Sequence, residues 1–170
     1  MSNSGSQKAK RLRTGCCPKK NHELDILIAY LERVTTLHGI TTKKVLEVGA
    51  GVGHLASELV KEGYSVIAID GDEKLCRKCA EKNAGMPQLQ CITKYVNHES
   101  DLNVISEPCI SVCLRTSNSY VVNLTPDGCG DLSVNHARHF VCYENVKLLI
   151  DIPCCYNRSP PGLHLVTCNL

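Results

Sequence analysis

The residues best suited to chemistry lie in Val45-Leu46-Glu47-Val48-Gly49-Ala50-Gly51-Val52-Gly53-His54 and in Val66-Ile67-Ala68-Ile69-Asp70-Gly71. An apolar strand that runs into a glycine turn lets the backbone approach a ligand with no Cβ in the way. An acid at the tip of the next strand can accept both hydroxyls of a ribose. Asp70 stands about twenty residues past the first glycine, the distance a βαβ unit imposes. These residues predict a site for an adenosine-containing cofactor, formed by Glu47, Gly49, Ala50, Gly51, Gly53, His54, Asp70 and Gly71.

The glycine spacing selects the cofactor. A nicotinamide or flavin site wants G-x-G-x-x-G, whose third glycine lets the helix pack close behind a pyrophosphate. Glycines 49, 51 and 53 make G-x-G-x-G instead, and His54 stands where a further glycine would fall. With Glu47 inside the strand, the segment resembles the first motif of S-adenosylmethionine-dependent methyltransferases. A carboxylate beside the turn favours a sulfonium and an ammonium and repels a phosphate. Two plainer readings compete with it: a tight βα turn that merely requires glycine, and a dinucleotide enzyme.

The elements that position these residues follow from periodicity. Asn21 is placed as the cap of a first helix bearing Leu24, Ile28, Leu31 and Val34, with Gly39 as its stop. Strands are expected near 44–48 and 64–69, and between them a helix from Gly53 to Gly63. Asp72 caps a helix to about Asn83, and residues 89–96 read as a third strand. Residues 97–119, with Pro108 and many Ser, Asn and Cys, sustain neither period and are expected to be an irregular insertion. A fourth strand is placed at 120–124, a helix at 131–143 and a fifth strand at 146–152. The fold class is therefore α/β and Rossmann-like, a mainly parallel sheet with helices on both faces that stops after the fifth strand. Its ligand is expected outside the carboxyl ends of the strands. Residues 1–17 read as a basic disordered tail, 18–156 as the domain and 157–170 as an irregular tail.

Composition sets outer limits. The 170 residues are one domain's worth of chain. A net charge of +2 argues neither for nor against a polyanionic partner. No apolar run has the length of a membrane span, and the polar, basic start lacks the apolar stretch of a secretory signal. Lys8, Lys10, Arg11 and Arg13 make that start a solvated tail, a nucleic-acid contact or a nuclear address. The expected setting is the cytoplasm or nucleus. There the twelve cysteines are mostly reduced, and no metal site is expected. Cys76 and Cys79 form a C-x-x-C, but on a helix, and Cys109 with Cys113 is a looser pair.

Four motifs in order resemble one family, the methyltransferase-like protein 25 group, also labelled ribosomal RNA adenine dimethylase domain-containing proteins. They are Pro18-Lys19-Lys20-Asn21-His22-Glu23; the glycine turn with Asp70-Gly71-Asp72-Glu73; Cys129-Gly130-Asp131-Leu132-Ser133; and Cys154-Cys155-Tyr156. The resemblance covers about residues 16–156 and implies a class I methyltransferase that uses S-adenosylmethionine. Two positions depart from the family pattern. Asp127 stands where the family has histidine, and Pro153 where it has glycine. A carboxylate in place of an imidazole changes the proton transfers available near neutral pH.

Methyl transfer from a sulfonium is an in-line displacement in which the protein chiefly orients and surrounds the reactants. Asp127, Cys129 and Asp131 are the candidate catalytic residues on the acceptor side. Asp127 would orient or deprotonate an acceptor nitrogen, and Asp131 is equally suited to cap a helix. Lys19 and His22 are placed to close over the site from the N-terminal segment. One Phe, six Tyr and no Trp offer few platforms for stacking on bases. The expected partners are S-adenosylmethionine and an RNA or protein acceptor, with no membrane. The competing reading is a truncated, catalytically impaired module that binds cofactor or a partner.

Overall fold

Val45, Val66, Ala68, Ile110, Val112, Leu148 and Ile150 are buried against one set of helices. Their alternates Leu46, Val48, Ile69, Cys109 and Leu149 are buried on the opposite side of the sheet. Strands that are apolar on both faces need cover on both faces, which parallel strands joined by helices provide. The computed structural model describes residue 13 and residues 16–97, 109–114, 130–152 and 167–168. Its elements run α1 (Pro18–Leu37), β1 (Lys44–Val48), α2 (His54–Lys61), β2 (Ser65–Asp70), α3 (Glu73–Lys82), β3 (Leu89–Thr93), β4 (Cys109–Leu114), α4 (Gly130–Cys142), β5 (Val146–Ile152) and β6 (Thr167–Cys168).

The sheet order is β3-β2-β1-β4-β5-β6. The first five strands pair in parallel and β6 is antiparallel to β5, opposite Leu148 and Leu149. The chain winds outward from β1 to β3, then returns to lay β4 on the other side of β1. The crevice at this reversal, beyond the carboxyl ends of β1 and β4, is where such sheets bind ligands. α1 and α2 contribute Leu24, Leu31, Leu55 and Leu59 to the first face. α4 contributes Phe140 to the second. The Rossmann-like α/β class expected from the sequence is the one observed.

Helix ends follow local chemistry. Asp72 accepts from Lys74 N–H at 2.7 Å and Leu75 N–H at 3.4 Å, capping α3 as expected. Gly39, at φ +62°, ends α1: its N–H donates to Thr36 O and that of Ile40 to Thr35 O, the paired bonds of a Schellman stop. Three expectations need correction. α1 begins at Pro18 and not after Asn21, because proline suits a first helical position that has no N–H to satisfy. Asn21 is buried inside the helix. The stretch 97–119 is not wholly irregular, since Cys109–Leu114 is a central strand between β1 and β5. β3 ends at Thr93, short of 96. The strand expected at 120–124 lies outside the described residues. Thr167–Cys168 adds a short strand in a stretch expected to hold none.

Candidate cofactor site

β1 delivers Glu47 and Val48 to a turn in which Gly49, Gly51 and Gly53 have φ of +73°, +59° and +72°. In that left-handed region a side chain is strained, so three glycines at alternate positions follow from the path of the chain. Their roles differ. A Cβ on Gly51 would meet nothing within 4 Å, whereas one on Gly53 would fall 2.3 Å from Cys79 Sγ. Gly51 faces open space at the crevice, and Gly53 is packed on α3.

The turn's amides are already engaged. Gly49 N–H and Ala50 N–H both donate to Ile69 O, at 2.8 and 3.0 Å, and Gly53 N–H donates to Ala50 O at 3.0 Å. Gly51 N–H donates to Asp70 Oδ2 at 2.8 Å, while Asp70 Oδ1 accepts from Asp72 N–H at 2.9 Å. Asp70 therefore ties the glycine turn to the tip of β2. Each carboxylate oxygen keeps a further lone pair for a hydroxyl donor. A pyrophosphate cradle needs its backbone N–H groups free to point at the ligand, and these four are spent internally.

Glu47 is buried, and its carboxylate accepts from Ala56 N–H in the first turn of α2. α2 has glycine at its N-cap and no side-chain cap of its own. Glu47 satisfies one of the helix's unpaired amides from the neighbouring strand. Its Oε2 has no hydrogen-bond partner among the described residues. Burial pushes the carboxyl pKa up to about 8, against the opposing pull of Lys20 and of the Ala56 bond. Glu47 is in consequence an acid held largely protonated at neutral pH and ready to ionise beside a cation.

His54 opens α2, and its Nδ1 receives two contacts, from Lys82 Nζ at 2.8 Å and from Cys16 Sγ at 3.1 Å. Burial and the Lys82 and Lys20 cations hold its pKa below the usual histidine value, so the imidazole stays neutral and Nδ1 is the acceptor. Gly71 lies under Tyr95: a Cβ there would be 3.0 Å from Tyr95 Cδ2. The ring is more than half exposed beside the tip of β2. All eight residues expected on the cofactor side thus converge on the carboxyl ends of β1 and β2.

The acceptor side is described only in part. Asp127 and Cys129 lie outside the described residues, as do Pro153, Cys154, Cys155 and Tyr156. Asp131 is the second residue of α4, at the helix start expected for it. Lys19 and His22 lie in the first turns of α1, both exposed, and Lys19 Nζ pairs with Glu23 Oε1 at 3.8 Å along the helix. Of that motif, the half-buried Lys20 is near enough for its charge to lower the pKa of both Glu47 and His54.

Residues not anticipated from the sequence are Tyr95 and a buried polar pair behind the site. His136 Nε2 on α4 and Ser111 Oγ on β4 are 2.5 Å apart, and Asp151 of β5 lies 3.9 Å from His136 Nδ1. Ser111 could have been found only by placing β4 correctly. Among the described residues no group of three or more His, Cys, Asp and Glu could hold a metal ion. No helix among them is long and apolar enough to cross a membrane.

A parallel sheet with this order, and a glycine turn tied by an acid to the neighbouring strand, define a Rossmann-like domain of the kind methyltransferases share. The profile of the family described as "Methyltransferase domain" matches residues 19–159, and the chain belongs to that family. Two curated relatives, the ribosomal RNA small subunit methyltransferase A of Dehalococcoides mccartyi strains BAV1 and CBDB1, are each 43% identical over 51 residues. Those matches cover 30% of this chain and 18% of the relatives, so the chain spans under a fifth of their length. Among solved structures, the magnesium protoporphyrin IX methyltransferase of Synechocystis PCC 6803 with bound SAM is similar in fold. It has a TM-score of 0.53 and 19% identity, over 76% of this chain and 56% of that one.

Proposed function

We propose that this chain binds S-adenosylmethionine at the glycine turn and transfers its methyl group to an RNA or protein acceptor. On this reading it belongs, within its family, to the methyltransferase-like protein 25 group. The observation that carries the proposal is the state of the turn: its amides are satisfied internally, Gly51 opens on free space, and a buried acid stands on one side and Asp70 on the other. That arrangement suits a cationic cofactor with a ribose and gives a pyrophosphate few donors. The residues fit the group. Asp70 would take the ribose hydroxyls, Gly49, Ala50 and Gly51 would admit the ligand to the backbone, and Glu47 would favour its positive charge.

When bound, the cofactor supplies an activated methyl group. The chain's own share is to hold the acceptor in line and to receive its proton. Asp127 is proposed for that proton, with Cys129 and Asp131 as the other candidate residues on the acceptor side. The domain that does this spans 18–156, in the cytoplasm or nucleus. The short match to ribosomal RNA methyltransferases makes RNA the first acceptor to test.

Calorimetric titration tests the cofactor. Binding of S-adenosylmethionine that is lost in Gly51→Arg and Asp70→Ala, with no binding of NAD, is the expected result. Binding of NAD in preference would sink the reading. Asp127, where the resembled family has histidine, favours a second reading in which cofactor binds but no methyl group moves. Labelled S-adenosylmethionine incubated with RNA and protein fractions separates the two: transfer abolished by Asp127→Asn supports the enzyme. Saturable binding with no labelled product supports the module.

A further inference from the structure

Cys76 and Cys79 make the C-x-x-C of α3, yet their sulfurs go to different partners. Cys76 Sγ donates to Asp70 O at 3.5 Å and to Ile92 O at 3.4 Å, backbone groups near the ends of β2 and β3. Cys79 Sγ instead accepts from Cys91 Sγ of β3 at 3.0 Å. Both thiols are free, and their separation is about 1 Å longer than a disulfide bond. A small movement would join them and staple α3 to β3.

The two sulfurs are unequally open to a reagent. Cys79 is 1% exposed, whereas Cys91 is half-buried on β3, an edge strand of the sheet among the described residues. Burial first, and then the neighbouring Cys91, push the Cys79 thiol pKa up, so Cys79 keeps its proton. An oxidant therefore meets Cys91 before Cys79. Cys79 is also the backing of the glycine turn. Its Sγ lies 2.3 Å from where a Cβ on Gly53 would stand, and Gly53 is the N-cap of α2.

We propose that Cys79 and Cys91 are a modification site, an oxidisable pair that closes to a reversible disulfide under a peroxide and thereby weakens cofactor binding at the glycine turn. The sulfur of Cys91 attacks one peroxide oxygen, the O–O bond breaks, and a first water leaves behind a sulfenic acid on Cys91. Cys79 Sγ then attacks Cys91 Sγ: the S–S bond forms, the S–O bond breaks, and the departing hydroxide takes the Cys79 proton as a second water. The thiol pair loses two electrons and the peroxide gains them. A dithiol reductant returns the pair to thiols by exchange. Closing the bond draws Cys79 Sγ toward β3 and off Gly53, and a gap of about 0.5–1 Å gives up roughly a quarter to a half of a van der Waals contact. The last glycine of the turn loses its support. The effect on the cofactor rests on the reading above; the disulfide does not.

The test treats the full reduced chain with one equivalent of hydrogen peroxide, blocks remaining thiols with N-ethylmaleimide in denaturant, and maps the peptides. Cys79 and Cys91 are expected joined, with the link reversed by dithiothreitol, kept in Cys76→Ser and absent in Cys91→Ser. Recovery of both as maleimide adducts, or a link from either to another cysteine, overturns the pair. Calorimetric titration with S-adenosylmethionine should show affinity lowered about fivefold or more by oxidation, restored by dithiothreitol and insensitive to peroxide in Cys91→Ser. A disulfide formed with affinity unchanged overturns the coupling and leaves the cofactor reading standing. A reduced chain that binds no S-adenosylmethionine overturns that reading and the coupling together, while the peptide map still decides the disulfide.

Discussion

Gly51 and Gly53 sit two residues apart in the same turn and at similar φ, yet their surroundings assign them different work. Gly53→Ala would drive a methyl group into Cys79 Sγ and should lower stability by about 1–3 kcal/mol, read from urea denaturation. Gly51→Ala meets no protein atom. It should cost the fold only about 1–2 kcal/mol for its left-handed backbone while weakening cofactor binding more than Gly53→Ala does, as calorimetry would show. Glu47 yields a pH prediction. Its carboxyl is mostly protonated below about 8 in the free protein, and a cation seated beside it favours the ionised form. Binding therefore releases a proton, and affinity should rise with pH until about 8 and then stop rising on this account. Glu47→Gln should abolish that slope, and titrations in buffers of different ionisation enthalpy would report the missing proton. Comparing the two proteins separates Glu47 from the cofactor's own amino group. These cofactor-side residues were legible in the sequence because glycine spacing and a strand-tip acid act through local backbone geometry. Lys20 and Tyr95 were not, because helix phase and the packing of β3 on β2 place them.

The glycine-bounded helix α2, the Asp72-capped α3 and the apolar strands β1 and β5 could be read from local pattern alone, β1 and β5 with their observed ends. β4 could not. Cys109-Ile110-Ser111-Val112-Cys113-Leu114 looks polar if cysteine is counted with turn formers, although cysteine is among the most buried residue types. Tyr120-Val121-Val122, with higher strand propensity, is the more strand-like segment nearby. The serine that weakens the apolar pattern of β4 is the one that meets His136 of α4. Replacing His136 by Leu would leave Ser111 Oγ buried without that partner and should cost about 1–3 kcal/mol in denaturant unfolding. Adding Ser111→Ala should recover part of the loss, since removing both polar groups is milder than stranding one. A double substitution as unstable as His136→Leu alone would mean that this pair does not join α4 to the sheet.

Among the described residues, β3 forms one edge of the sheet and the two residues of β6 cover β5 at the other. Deleting residues 157–170 should expose the outer backbone of β5 and promote self-association, visible as a rise in mass by light scattering; a monomeric, equally soluble product would refute that role for β6. The reversal at the centre of the sheet also bears on how the chain reaches this form. Val45 lies beside Ile110, and Leu46 beside Ser111. The first βαβ unit can assemble from neighbouring segments, whereas its inner flank must wait for a strand made much later. During synthesis on the ribosome the glycine-turn corner would thus emerge with one side bare, its inner flank uncovered until β4 arrives.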